Sequence, residues 1–227
     1  MSYIVPRASI LSLFERAYPQ GNWPHARILD FGGNRGNLLQ DAIEHLNYDP
    51  ANYTCIDVDQ PAVLFGGEQY PRATWIHQDR FNPVYNPQGH CGLELPFEDL
   101  TFDIAVAHSI HSHTSFENML EDLKQLRRVA HTVITSVVSP EFVRVMARKR
   151  AATYEHIHPL WHTPTPLKSV RYYIDGDRVT ELSEDLPPQC DFLIAAYNLE
   201  WLAQQLPEAL IVPAAAAHLQ TMLVFEG

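Results

Sequence analysis

The densest run of chemistry in this 227-residue chain lies between Ala26 and Gly36. Ala26-Arg27-Ile28-Leu29-Asp30-Phe31 reads as a short buried strand. Gly32-Gly33-Asn34-Arg35-Gly36 then turns into a helix whose Leu38, Leu39, Ala42, Ile43 and Leu46 fall at helical spacing. An acid at a strand tip, a glycine turn and a helix start make a nucleotide-type site. Glycines let the backbone approach a ligand, and the first N–H groups of a helix lack partners within it. A nicotinamide dinucleotide asks for Gly-x-Gly-x-x-Gly, and the spacing from Gly32 does not supply it. The competing reading of this turn alone is a connection with no ligand.

Further polar residues stand at the ends of other apolar runs. Asp57 and Asp59 end Cys55-Ile56-Asp57-Val58-Asp59, Asp79 follows Trp75-Ile76-His77, and His108, His111 and His113 follow Phe102–Ala107. Each acid, taken singly, also reads as a turn or surface carboxylate. Three readings of the histidines compete. They shape a pocket or cap the next helix, one is a general base titrating near neutrality, or they bind a metal. A ligand-type spacing with a second group is missing, so no metal site is assigned. His156, His158 and His162 form a second group with Trp161, read as a polar loop over the sheet edge or as a substrate contact. Tyr154, Trp161, Tyr172, Tyr173 and Tyr197 are candidates for an aromatic substrate pocket, against the alternative of a small secondary core. Arg144, Arg148, Lys149 and Arg150 make a basic stripe that reads first as a solvated helix face.

The elements that must carry these residues alternate. A helix is expected over 2–19, strands over 26–31, 53–57, 73–77, 102–108 and 132–139, and a helix starting at Pro61. Thr114-x-x-Glu117 fits a capping box for a helix reaching Val129, with Phe116, Met119, Leu120, Leu123 and Leu126 on one face. Residues 80–96, rich in Pro and Gly, read as an ordered loop or insertion. The strands are continuous apolar runs, as in a parallel sheet covered on both faces. Beyond these, Glu141–Tyr154 reads as a helix and 170–182 as a hairpin turning near Asp175-Gly176. Tyr197–Leu206 reads as a helix, and 209–212 and 219–225 as closing strands. The expectation is one domain: an N-terminal helix in 1–25, a binding core in 26–139, a substrate-side insertion in 140–190, and a closing segment in 191–227.

The set of motifs resembles the class I S-adenosylmethionine-dependent methyltransferases, small-molecule type. Leu29-Asp30-Phe31-Gly32-Gly33-Asn34-Arg35-Gly36 is similar to their first motif, LDxGxGxG. Asp57, Asp79 and Leu95-Pro96-Phe97-Glu98-Asp99-Leu100-Thr101-Phe102-Asp103 match the later ones, and Ile110–Glu117 aligns with their segment after the fourth strand. The resemblance covers Arg27 to Phe225 and implies a Rossmann-like open sheet, mostly parallel with an antiparallel last strand and helices on both faces. It implies that Asp30, Gly32, Gly33 and Gly36 hold the amino acid end of S-adenosylmethionine, Asp57 the ribose and Asp79 the adenine, with His108 beside them. His111, then His113, are the candidates for the base. Asn34 departs from the family's middle glycine; Asn tolerates positive φ better than most residues.

Composition sets the outer limits. With 16 Lys and Arg against 27 Asp and Glu the net charge is −11, which weighs against a surface that tracks nucleic acid. Cys55, Cys91 and Cys190 are sparse and form no CxxC pair, as expected of a cytoplasmic protein without a thiolate zinc site. No run approaches the length of a membrane span. The activity expected is methyl transfer to an oxygen or nitrogen of a small molecule, in specialised metabolism. The alternatives are an RNA or protein methyltransferase, a cofactor-binding pseudo-enzyme of this fold, and a nicotinamide oxidoreductase.

Overall fold

The computed structural model describes residues 9–82, 85–90, 94–114, 116–139, 142, 170–175, 178–183, 194–215 and 220–227. Helix α1, Ile10–Ala17, is capped by the Ser9 hydroxyl and buries Leu11, Phe14 and Ala17. Strand β1, Ile28–Phe31, leads through the glycine turn into α2, Asn37–Leu46. Strand β2, Tyr53–Asp57, is followed by α3, Gln60–Gln69, with Asp59 as its N-cap. Then come β3, Thr74–His77, β4, Phe102–Ala107, α4, Phe116–Val129, and β5, Ala130–Val137. The remaining elements are β6, Val170–Asp175, β7, Arg178–Ser183, β8, Ile194–Tyr197, α5, Leu199–Gln205, β9, Leu210–Val212, and β10, Thr221–Glu226.

One sheet has the order β3-β2-β1-β4-β5-β10-β9. The pairings from β3 to β5 are parallel, whereas β10 runs antiparallel to both neighbours. The chain builds outward from β1 through β2 to β3, then returns to lay β4 on the other edge of β1. That reversal is a topological switch point, and open α/β sheets bind ligands beyond the carboxyl ends of the strands at such points. Helices cover both faces. Leu11, Phe14, Ile28, Leu39, Cys55, Val106 and Ile134 pack on the α1–α2 side. Leu29, Ile56, Ala105, Met119, Leu123, Leu126 and Leu223 pack on the α4 side. Burying both faces explains why β1 and β4 are apolar apart from one aspartate each, Asp30 and Asp103. Strands β6, β7 and β8 make a second, antiparallel sheet. It adjoins the first where Ala195 N–H donates to Ser112 O at 2.8 Å and Tyr197 N–H to Val138 O at 3.0 Å. Among the described residues no helix is long and apolar enough to cross a membrane.

The expected strands and the hairpin are present, and three local readings change. Tyr197 ends a strand instead of opening a helix. The Asn198 carboxamide caps α5 by accepting from Glu200 N–H at 2.9 Å and Trp201 N–H at 3.0 Å. The capping box is not closed by Thr114, whose buried hydroxyl has no hydrogen-bond partner among the described residues. The N-terminal helix begins at Ile10, with residues 1–8 outside the description. The helix expected over Glu141–Tyr154 also lies outside the described residues, apart from Phe142.

Candidate functional site

The turn after β1 is built from close approaches. Gly32 adopts φ of 75°, and a Cβ there would come within 2.1 Å of Ile110 Cδ1. This contact brings the segment after β4 against the turn. A Cβ on Gly33 would lie 2.6 Å from the Asp30 carboxyl and 2.9 Å from Cys55 Sγ. Because Tyr53 holds that carboxyl, it cannot swing aside. Gly33→Ala is therefore expected to destabilise the fold by about 1–3 kcal/mol through overpacking. Gly67→Ala is the control, since a Cβ there meets Trp75 at an ordinary 3.8 Å. Urea denaturation of the two variants checks the contrast.

Asn34 has φ of 51°, the left-handed conformation its amide side chain tolerates. Its backbone N–H donates to Asp57 Oδ2 at 2.7 Å, and Asp59 N–H donates to Asp57 Oδ1 at 2.8 Å. Burial raises the Asp57 carboxyl above its usual range, and these two N–H groups pull it back down. Gly36, with φ of 82°, starts α2 without a side-chain cap.

Asp30 is only 4% exposed and accepts a hydrogen bond from the Tyr53 hydroxyl. Its carboxyl lies beneath the turn, against Gly33. Burial is the main cause that pushes its pKa from 3.8 to about 7; the Tyr53 hydroxyl opposes the shift and the Asp57 charge adds to it. The unfolded carboxyl ionises near 4, so the folded state favours the neutral form. This contribution to stability is full below about pH 4 and is lost as pH rises through 7, by up to about 4 kcal/mol. Urea unfolding from pH 4 to pH 8 should show the decline, and Asp30→Asn should flatten it.

Asp79 stands at the carboxyl end of β3, with Oδ1 accepting from Asn86 Nδ2 at 3.1 Å and Oδ2 lying 2.7 Å from His90 Nδ1. These contacts hold its carboxyl below the usual range. His108 leaves the end of β4 towards α1, its ring edge-on to Phe14 at 6.0 Å.

His111 corrects the first expectation for a base. The ring is completely enclosed, at 0% exposure. Its Nδ1 lies 2.7 Å from Thr135 Oγ1, whose own hydroxyl donates to Ala107 O at 3.1 Å. That leaves Nδ1 as the donor. Nε2 lies 3.3 Å from Asp122 Oδ2 as a charge contact without hydrogen-bond geometry. Asp122 Oδ1 in turn meets Arg80 Nη1 at 2.5 Å. The imidazole thus ties the segment after β4 to α4 and β5 and does not face an acceptor. His113, two residues on, is exposed at the same edge.

A second polar group, not anticipated from sequence, lies next to it. Ser109 has φ of 62°, uncommon for a residue with a side chain. Its N–H donates to Ser136 Oγ at 2.7 Å and its Oγ accepts from Gln220 Nε2 at 3.0 Å. The Ser136 hydroxyl closes the ring by donating to Gln220 Oε1. Strain held by its surroundings is a feature of functional edges. No sequence pattern marks it, because Ser109, Ser136 and Gln220 come from three strand ends.

Tyr172 and Tyr173 lie on β6, opposite Glu181 and Thr180 of β7. Tyr154, Trp161, the 156–162 histidines and the 144–150 basic stripe lie outside the described residues. Among the described residues, no three His, Cys, Asp or Glu side chains gather as a metal-ligand group. A groove of about 470 Å³ lined by Leu120, Lys124, Arg127, Leu206, Glu208 and Phe225 lies between α4 and the segment after α5.

No family model and no curated protein matches the sequence, whereas solved structures do. The PH0226 protein of Pyrococcus horikoshii OT3 superposes with a TM-score of 0.54 at 13% identity, over 96% of this chain and 87% of that one. The glycopeptide N-methyltransferase MtfA, complexed with S-adenosylhomocysteine, gives 0.52 at 11% identity, over 94% and 87%. Magnesium protoporphyrin IX methyltransferase from Synechocystis PCC 6803, also with bound S-adenosylhomocysteine, gives 0.51 at 10%, over 94% and 79%. At such identities the likeness is one of fold: this chain has the Rossmann-like fold on which those methyltransferases are built.

Proposed function

We propose that the protein is a class I S-adenosylmethionine-dependent methyltransferase acting on an oxygen or nitrogen of a small molecule, in the cytosol and in specialised metabolism. The observation that carries the reading is the joint between the glycine turn and β2. Asp57 uses one lone pair of each oxygen on the N–H groups of Asn34 and Asp59. A carboxylate has about four such sites, so it keeps acceptor capacity for the vicinal hydroxyls of a ribose. The residues fit the cofactor: Gly32 and Gly33 allow the backbone approach, and Asp79 stands one strand further along the edge. The solved methyltransferases that share the fold and hold S-adenosylhomocysteine support this assignment.

When bound, the cofactor supplies a methyl group on a sulfonium, already reactive towards a nucleophile. The protein's task is then orientation and exclusion of water. The turn of Gly32, Gly33 and Gly36, supported from below by Asp30, holds the amino acid end, and His108 flanks it. Ile110, packed on Gly32, brings the segment after β4 to the same end. Ser109 and Gln220 offer hydrogen bonds to a polar group of the acceptor, and His113 takes the acceptor's proton on its imidazole. Tyr154, Trp161, Tyr172 and Tyr173, in the 140–190 insertion, are assigned to the acceptor side.

The experiment is transfer of an isotopically labelled methyl group from S-adenosylmethionine to a panel of phenols, amines and carboxylic acids, with total RNA and protein as separate arms. Label in a small acceptor supports the reading. Label only in RNA or protein reassigns the acceptor class. Tight binding of S-adenosylhomocysteine with no transfer in any arm points to a pseudo-enzyme.

A further inference from the structure

One buried carboxylate touches two segments that border the candidate site. Asp122, on α4, is completely enclosed. Its Oδ1 meets Arg80 Nη1 at 2.5 Å, and Arg80 directly follows Asp79 beyond β3. Its Oδ2 lies 3.3 Å from Nε2 of His111, which directly follows Ile110 in the segment after β4.

Each of these partners is fixed to a part of the site. The Arg80 N–H donates to Gln78 O at 2.8 Å, and the Arg80 carbonyl accepts from Asn86 Nδ2 at 3.1 Å. The same Nδ2 donates to Asp79 Oδ1 at 3.1 Å, so Arg80 and the Asp79 carboxylate share an anchor. Gly89 closes on this anchor, for a Cβ there would lie 2.5 Å from the Arg80 carbonyl. His111 is held on its other nitrogen by Thr135 Oγ1 at 2.7 Å. Ile110 before it fills the space over Gly32, where a Cβ would come within 2.1 Å of Ile110 Cδ1. The series Asp79, Arg80, Asp122, His111, Ile110 therefore links the acid assigned to the adenine with the turn assigned to the amino acid end.

We propose that Asp122 is a positioning residue of the cofactor site: by holding Arg80 and His111 on one carboxylate, it sets the spacing between the nucleoside and amino acid ends. The inference rests on the cofactor reading above and adds to it a residue too enclosed to touch the cofactor itself. Burial suits the carboxylate to this task. A buried charge is left uncompensated when its partner moves away, so displacement is costly. A ligand held at both ends depends on their relative placement, because its second contact is made within an already formed complex. A ligand held at one end does not.

The test is calorimetric titration of two ligands into the wild type and Asp122→Asn. S-adenosylhomocysteine spans both ends, whereas methylthioadenosine lacks the amino acid end. Asparagine keeps the side-chain shape and an oxygen for Arg80 but removes the charge. The expected result is about tenfold weaker binding of S-adenosylhomocysteine, within the range of couplings between contacting residues, with methylthioadenosine within about twofold of the wild type. The double variant Arg80→Met, Asp122→Leu removes the link without leaving the guanidinium buried alone. It should show the same split, and it decides the outcome if Asp122→Asn does not fold. Equal weakening of both ligands would overturn the assignment and leave Asp122 a role in stability alone. Wild-type affinity for S-adenosylhomocysteine in the variants would overturn it too. A wild type that does not bind S-adenosylhomocysteine would instead withdraw the cofactor reading, and this inference with it.

Discussion

Asp57→Ala is expected to bind S-adenosylhomocysteine about 100-fold more weakly than the wild type. The carboxylate is the group assigned to the ribose hydroxyls, and a hydrogen bond to a charged acceptor is worth about 1.5–3 kcal/mol. Losing two such bonds outweighs any gain from relieving burial. The substitution also strips Asn34 N–H of its partner, loosening the turn assigned to the amino acid end. Acidification should produce a milder version of the same loss. Burial raises the Asp57 carboxyl, so the anion is lost at a higher pH than an ordinary aspartate would lose it, and binding should fall there. Calorimetric titration of Asp57→Ala decides the point; near-normal affinity would remove Asp57 from the site.

The largest effect on stability is expected at Asp122. Its carboxylate is completely enclosed between Arg80 and His111. Asp122→Ala would leave the Arg80 guanidinium largely buried without its counter-charge, which costs about 3–5 kcal/mol. At about 2–4 °C per kcal/mol for a chain of this size, the thermal midpoint should drop by roughly 10 °C. The pair need not be a net gain over apolar packing. Replacing the group together, with Arg80→Met, Asp122→Leu and His111→Phe, should recover much of the loss. A drop of under about 1 kcal/mol in Asp122→Ala would contradict the buried charge network.

These two positions also show what a sequence discloses. Asp57 is legible because its position is local: an acid ending an apolar run, one strand after a glycine turn. The same holds for Gly32 and Gly36, whose positive φ angles follow from a tight strand-to-helix turn, and for the 170–182 hairpin, whose ladder closes at Asp175 and Arg178. Asp122 carries a local signal of its own. It occupies the apolar face of α4 between Met119 and Leu126, and a carboxylate in that place must have a buried partner. The identity of the partner was not legible, since Arg80 is 42 residues away and inside an insertion. His111 shows the opposite failure. Its place at the sheet edge suggested access, but access depends on Thr135 and α4, which close over the ring. Strand β8 is four residues long, too short for a periodic pattern, and it is held by its ladder with β7 and by hydrogen bonds to Ser112 and Val138.

The most direct measurement is calorimetric titration of the wild-type protein with S-adenosylhomocysteine, run beside NAD and NADP. The account predicts saturable binding of S-adenosylhomocysteine at one site and none of either nicotinamide. Binding of a nicotinamide in its place, or no binding of S-adenosylhomocysteine, would contradict it.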